Sequence, residues 1–207
     1  RAINPAISVC DSYLRRTLMA DSLMWISGAP RTISSLPFIS ESTRAEYQYY
    51  LSQVDEIIPT GAYPTHEVIR HFNFLSSIAG RQIKPEAPRI PWRKAIPPRD
   101  IVPAGAAYVV LNPGSNEFGR RWPLAKYQEL ATKLTAKGLL VIFVGGKSEH
   151  PGAINKGAGR IIDLIGKTSL EQLLDLMNHA QLVVSNDTGP AHLSIALGTP
   201  TLVVVGG

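Results

Sequence analysis

A single cysteine, Cys10, stands among the 207 residues. One cysteine excludes an internal disulfide and fits a reducing compartment. Nothing near it would activate a thiolate, so it reads as an inert side chain. No apolar run approaches the roughly 20 residues of a membrane span. No signal-peptide pattern is visible and the chain starts at Arg1 rather than at Met, so it is expected to be a piece of a longer product. Concentrated charge is missing too. The formal net charge is +5, with acids and bases interspersed along both halves. That balance suits acidic small molecules or an anionic membrane surface, and it is too diffuse for a nucleic-acid partner.

Several familiar motifs are absent. GGKS at 145–148 and GKT at 166–168 echo a phosphate loop, but that loop needs a glycine five positions before its second glycine. Val141 and Ile161 occupy those places. GAGRII at 157–162 lacks the third glycine of a dinucleotide fingerprint. HEVIRH at 66–71 places His66 and His71 five residues apart. On a helix they lie about 140° apart and cannot share a metal.

What is present is alternation. A proline-rich stretch, KPEAPRIPWRKAIPPRDIVP at 84–103, holds six prolines. It can be neither regular helix nor central strand, so it reads as a linker between a first region, 1–103, and a second, 104–207. In the second region, short apolar runs at 108–111, 139–144, 161–164, 182–185 and 201–205 read as strands. Helical patterns fall between them at 126–137, 169–179 and 190–197. Continuous apolar strands alternating with helices mark an α/β fold with a parallel sheet covered on both faces. The first region is less regular. Residues 11–27 read as a helix, and 66–79 as another with Val68, Ile69, Phe72, Leu75 and Ile78 inward. RAIN at the start reads as the tail of a strand.

Two loops carry the chemistry. LNPGSNEFGRRWP at 111–123 leaves the first strand of the second region, where open α/β sheets place ligands. Asn112, Gly114 and Ser115 offer donors in a tight bend, and the Arg120 and Arg121 forks match phosphate oxygens. SNDTGPAH at 185–192 ends a strand and opens a helix at Thr188 or Gly189, with Pro190 in its first turn. The free amides of that turn and the helix dipole make an anion site. Thr188 adds a hydroxyl, and His192 lies one turn on. Asp187 would repel a phosphate, so it is expected to meet a sugar hydroxyl or to cap the amides. Glu149, after a third strand, is placed to accept from ribose hydroxyls.

Together, NPGSN, RRWP, KYQELATKL, GGKSE, GKTSL and SNDTGPAH resemble the donor half of glycosyltransferase family nine, the lipopolysaccharide heptosyltransferases. LMWISGAPRTI and HEVIRHFNFLSSIAG resemble the later part of that family's acceptor domain more loosely. The resemblance implies a GT-B architecture of two Rossmann-like domains, the first incomplete here, and no metal or other cofactor. It implies inverting transfer of heptose from ADP-heptose to the lipopolysaccharide inner core, at the cytoplasmic face of the inner membrane. It places the diphosphate on Ser115 and Arg120, where the family often has Lys, and the ribose on Glu149. The sugar–diphosphate end falls on Asp187, Thr188 and Gly189, supported by His192. The family's catalytic Asp base is expected upstream of Arg1. A nucleotide-sugar epimerase of the same architecture and a non-catalytic nucleotide-sugar binding module are the alternatives.

Overall fold

The computed structural model describes residues 4–13, 19–92, 101–147, 152–155 and 159–205. They form two compact units, Arg1–Ala87 and Pro88–Gly207. No helix among the described residues is long and apolar enough to cross a membrane.

The first unit runs β1 (Ser8–Cys10), α1 (Met19–Ile26), β2 (Thr32–Ser35), α2 (Arg44–Leu51), β3 (Glu56–Ile58) and α3 (Glu67–Ala79). Its three strands are parallel in the order β1-β2-β3, with Val9 opposite Ile33 and Ile33 opposite Glu56. Two expectations are corrected here. The helix read at 11–27 shortens: Asp11 to Tyr13 follow β1 as an irregular turn, and 14–18 lie outside the described residues. The strand read into the opening RAIN falls on residues 1–3, outside the described set, and Asn4; the first described strand is Ser8–Cys10. The inward face of α3 also differs. Phe74 packs with Ile33 and Ile58 and is 2% exposed, whereas Ile69, Leu75 and Ile78 are 43%, 47% and 43% exposed. Phe74 closes this small core, and burying one such ring is worth about 1.5–3 kcal/mol.

The second unit begins earlier than the prolines suggest. The Ile90 amide donates to the Ala196 carbonyl, and Trp92 Nε1 donates to Asp175 Oδ1 at 2.7 Å. Then follow β4 (Tyr108–Asn112), α4 (Leu124–Ala136), β5 (Leu140–Phe143), β6 (Ile161–Asp163), α5 (Leu170–Asn178), β7 (Leu182–Asn186), α6 (Gly189–Leu197) and β8 (Thr201–Val204). All five strands are parallel, in the order β6-β5-β4-β7-β8. The continuous apolar strands have a physical reason. Tyr108 and Val110 point into one core with Leu176 and Met177 of α5. Val109 and Leu111 point into the other with Tyr127 and Ala131 of α4. With both faces covered, no position in β4 is left for a polar residue until the strand ends at Asn112.

The start of α5 is fixed by a reciprocal pair. Ser169 Oγ accepts from the Gln172 amide at 3.2 Å, and Gln172 Oε1 accepts from the Ser169 amide at 2.9 Å. Ser169→Ala strands the Gln172 amide and should cost about 1 kcal/mol. Urea unfolding of the variant checks this; an unchanged midpoint would mean that solvent serves that amide equally well.

Candidate functional site

Chain order places the site. From β4 the sheet grows one way through β5 and β6, and the other way through β7 and β8. The crevice of such a sheet opens at the carboxyl ends of the strands where the order reverses, here β4 and β7. The two segments read from sequence, 112–120 and 185–192, leave those two strand ends, so the topology brings them together.

Asparagines close both strands, and both are fully buried. Asn112 Nδ2 donates to Ser185 Oγ and to Thr188 Oγ1, each at 3.0 Å. Asn186 joins the two loops more extensively. Its Oδ1 accepts from the Trp122 amide at 3.0 Å and from the Tyr127 hydroxyl at 3.1 Å. Its Nδ2 donates to the carbonyls of Pro113 at 2.9 Å and Gly114 at 3.2 Å. Burial pushes the Tyr127 phenol well above its ordinary pKa, so the hydroxyl keeps the proton it donates. Gly145, after β5, has φ +151, and a Cβ there would come within 3.3 Å of Asn112 Oδ1. A side chain at 145 would press on the asparagine that orients Thr188.

Helix α6 starts at Gly189 with Thr188 as N-cap and Pro190 in its first turn, and no side chain caps it. The Ala191 and His192 amides bond back to the Thr188 carbonyl. The leading amides thus meet no capping side chain, at the positive end of the helix dipole. Asp187 is not the cap. Its carboxylate lies 3.7 Å from Arg120 Nη1 and 3.5 Å from His192 Nε2. The Thr188 hydroxyl is engaged inside the protein, accepting from Asn112 and lying 3.3 Å from the Asn186 carbonyl.

The two arginines separate. Arg121 Nε donates to the Ser115 carbonyl at 2.7 Å and so braces the loop. Arg120 sits at the surface, its side chain 46% exposed, with Glu117 at 2.9 Å and Asp187 on its other side. Exposed ion pairs of this kind are worth about 0–1 kcal/mol, so an incoming anion can take the guanidinium from its carboxylates at small cost. Ser115 itself is 2% exposed, and its Oγ accepts from the Glu117 amide. The Gly114 carbonyl accepts from Asn186 Nδ2. Asn112, Gly114, Ser115, Arg120, Asp187, Thr188, Gly189 and His192 are therefore gathered at one crevice, while Glu149 lies outside the described residues. Sequence reasoning missed Asn186 and Tyr127. The available signal was the second asparagine, one residue beyond Ser185 in a strand paired with β4.

The glycosyltransferase family 9 (heptosyltransferase) model matches residues 42–206. Lipopolysaccharide heptosyltransferase 3 of Escherichia coli is 29% identical over 125 residues, covering 58% of this chain and 37% of that protein. Lipooligosaccharide heptosyltransferase 2 of Haemophilus ducreyi is 35% identical over 101 residues, covering 44% of this chain and 29% of its own. The chain thus spans only about a third of the length of these curated relatives. In three dimensions it resembles a family 9 glycosyl transferase from Veillonella parvula, with a TM-score of 0.72 at 17% identity, over 97% of this chain and 57% of the other. The E. coli heptosyltransferase WaaC, solved with ADP-2-deoxy-2-fluoro heptose, gives a TM-score of 0.69 at 18% identity, over 98% and 62%. The α/β architecture of these enzymes, parallel sheets flanked by helices, is the architecture described above. With a family model matched across most of its length, this chain belongs to glycosyltransferase family 9, the heptosyltransferase family.

Proposed function

We propose that the second unit is the donor-binding domain of a heptosyltransferase, and that the first belongs to its acceptor-binding domain. On this reading the donor is ADP-heptose, transferred with inversion and without a metal to a lipopolysaccharide inner-core acceptor. The work would be done on the cytoplasmic side, in peripheral contact with the inner membrane. The observation that carries the proposal is the uncapped start of α6 at the sheet's switch point, beside the half-exposed Arg120. The Gly189 amide and the helix dipole would receive one phosphate. Arg120, turned away from Glu117, would hold the other as a bidentate clamp and stabilise the ADP that leaves. Asp187 faces the sugar side, where a carboxylate accepts from hydroxyls rather than meeting phosphate, and His192 holds it there. Glu149 is assigned to the ribose. A relative crystallised with an ADP-heptose analogue and membership of the family support the choice of donor.

Calorimetric titration of the protein with ADP, ADP-heptose and UDP-GlcNAc tests this. Arg120→Ala should weaken ADP at least tenfold, since a charge-assisted bond is worth about 1.5–3 kcal/mol. AMP should lose less, having one phosphate fewer. Asp187→Ala should leave ADP nearly unchanged and weaken ADP-heptose. Undiminished nucleotide affinity in both variants would remove the site assignment.

A further inference from the structure

Helix α4 carries its cations in a line. Lys133 and Lys137 follow Lys126 by seven and eleven residues. At about 100° per residue all three fall within about 20° of one line, over about 16 Å of helix. The Lys126 and Lys133 side chains are 59% and 69% exposed, and Lys137, the C-cap residue, is exposed as well. Arg160 extends the line past the helix end, where its Nη1 donates to the Gly138 carbonyl at 2.7 Å. Glu129 is the acid of this helix. Its carboxylate pairs with Lys126 at 3.3 Å and with Lys133 at 2.8 Å, and the stripe stays cationic.

Carbon lies between the ammoniums. Trp122 and Leu130 line an open groove of about 300 Å³ along the same face, together with Lys126, Glu129 and Lys133. Trp122 is half-buried, its ring edge-on to Tyr127 with centroids 4.9 Å apart. Its amide is held by Asn186 Oδ1, so the indole is fixed beside the crevice. Two properties select the partner. The cations are lysines on long flexible stems, set along a ridge rather than converging on a point, so they match a plane of charge better than a single phosphate. Below them lies carbon, with an indole whose amphipathic ring suits the boundary between headgroup and acyl chain. A plane of negative charge over hydrocarbon is an anionic bilayer surface.

We propose that the outer face of α4 is the surface by which the second unit lies on an anionic phospholipid bilayer. Lys126, Lys133, Lys137 and Arg160 meet the phosphates, and Trp122 and Leu130 reach the acyl boundary. This deepens the membrane contact proposed above and rests on it for which membrane is meant; the attraction itself does not depend on the donor. Glu129 works against the contact, because it occupies two of the cations and is itself repelled.

The test is sedimentation of the whole chain with vesicles of equal parts phosphatidylglycerol and phosphatidylcholine. Vesicles of phosphatidylcholine alone are the comparison, and ADP is titrated into the same samples. Binding should need the anionic lipid and fall steeply with salt, which screens exposed charges. Lys126→Gln, Lys133→Gln and Lys137→Gln combined should weaken it at least about tenfold, each lysine near such a surface being worth about fivefold. Glu129→Gln should tighten it by about that same single-charge factor, a gain that a misfolded chain cannot give. Arg44→Gln, Arg81→Gln and Lys84→Gln combined remove as much charge from exposed places in the first unit, and should change binding less than about twofold. Brominated acyl chains should quench tryptophan emission in the parent and markedly less in Trp122→Phe. ADP affinity should stay unchanged in every variant. Equal binding to neutral vesicles, an equal loss in the first-unit control or equal quenching in Trp122→Phe would each overturn the proposal. So would displacement by glycerol 3-phosphate at constant ionic strength, or tighter binding to polyglutamate than to vesicles. Absence of ADP binding with vesicle binding intact would overturn the donor reading instead.

Discussion

Asn186→Ala should cost the second unit about 3–5 kcal/mol. The asparagine is fully buried and makes four hydrogen bonds, two as acceptor and two as donor. Truncation leaves the Pro113 and Gly114 carbonyls, the Trp122 amide and the Tyr127 hydroxyl without that partner. Each orphaned buried group costs about 1–3 kcal/mol, and partial rehydration brings the sum down. Against the 5–15 kcal/mol that typically holds a domain together, the loss is a large fraction. Asn186→Asp should be no better. It keeps the acceptor oxygen but turns the other edge of the amide toward two carbonyls as an anion. Tyr127→Phe removes one of the four bonds and should cost about 1 kcal/mol. Urea unfolding followed by circular dichroism measures all three. An Asn186→Ala midpoint within error of the parent would show that water replaces the side chain, and the joint between the two loops would lose its stated cause.

Arg70→Met should be the most damaging change in the first unit, at about 3 kcal/mol. Methionine keeps the apolar stem and discards a fork that bonds the Gly61, Ala62 and Thr65 carbonyls and lies over the Tyr13 ring. The Gly61 and Thr65 carbonyls lose a buried donor, whereas Ala62 keeps the Thr65 amide at 2.9 Å and the Thr65 hydroxyl at 2.6 Å. The cation over Tyr13 goes as well, worth about 2 kcal/mol where it is desolvated. Arg70→Lys should recover only part, because one ammonium cannot span carbonyls from three residues in a plane. Hydrogen exchange gives a local readout. The Thr65 amide should exchange faster in Arg70→Met, while amides of β4 and β7 stay as they were. Uniform protection across the first unit would mean the 61–65 loop stands without the guanidinium.

How much of this was visible in the letters differs between the units. In the second, strands covered on both faces must be apolar throughout, so 108–111 and 182–185 announce themselves, and Ser169 and Pro190 mark helix starts by mechanisms local to the backbone. The loops at 112–120 and 185–192 follow from strand order alone. What the letters concealed was polar and interior. Asn186 and Arg70 are residue types whose usual place is a cap or a wet surface, and only tertiary contacts turn them into struts. Asp187 was read as a sugar contact or a cap; it does not cap the helix, and its carboxylate lies near Arg120 and His192. In α3, counting apolar residues chose a face, but a three-stranded sheet has room for little, and Phe74 with Arg70 takes it. Short strands such as Glu56–Ile58 carry too few residues for a period to show.

The place of β4 has a consequence for how the proposed donor crevice would behave under stress. Tyr108–Asn112 is hydrogen-bonded to a neighbour on either side, and none of its residues exceeds 2% exposure. Fluctuations that peel a sheet begin at its rims, and among the described strands β6 and β8 have one neighbour each whereas β4 has two. The Asn112–Ser115 segment therefore hangs from a strand paired on both sides, so loops around it can vary in sequence without dislodging the point where they are moored.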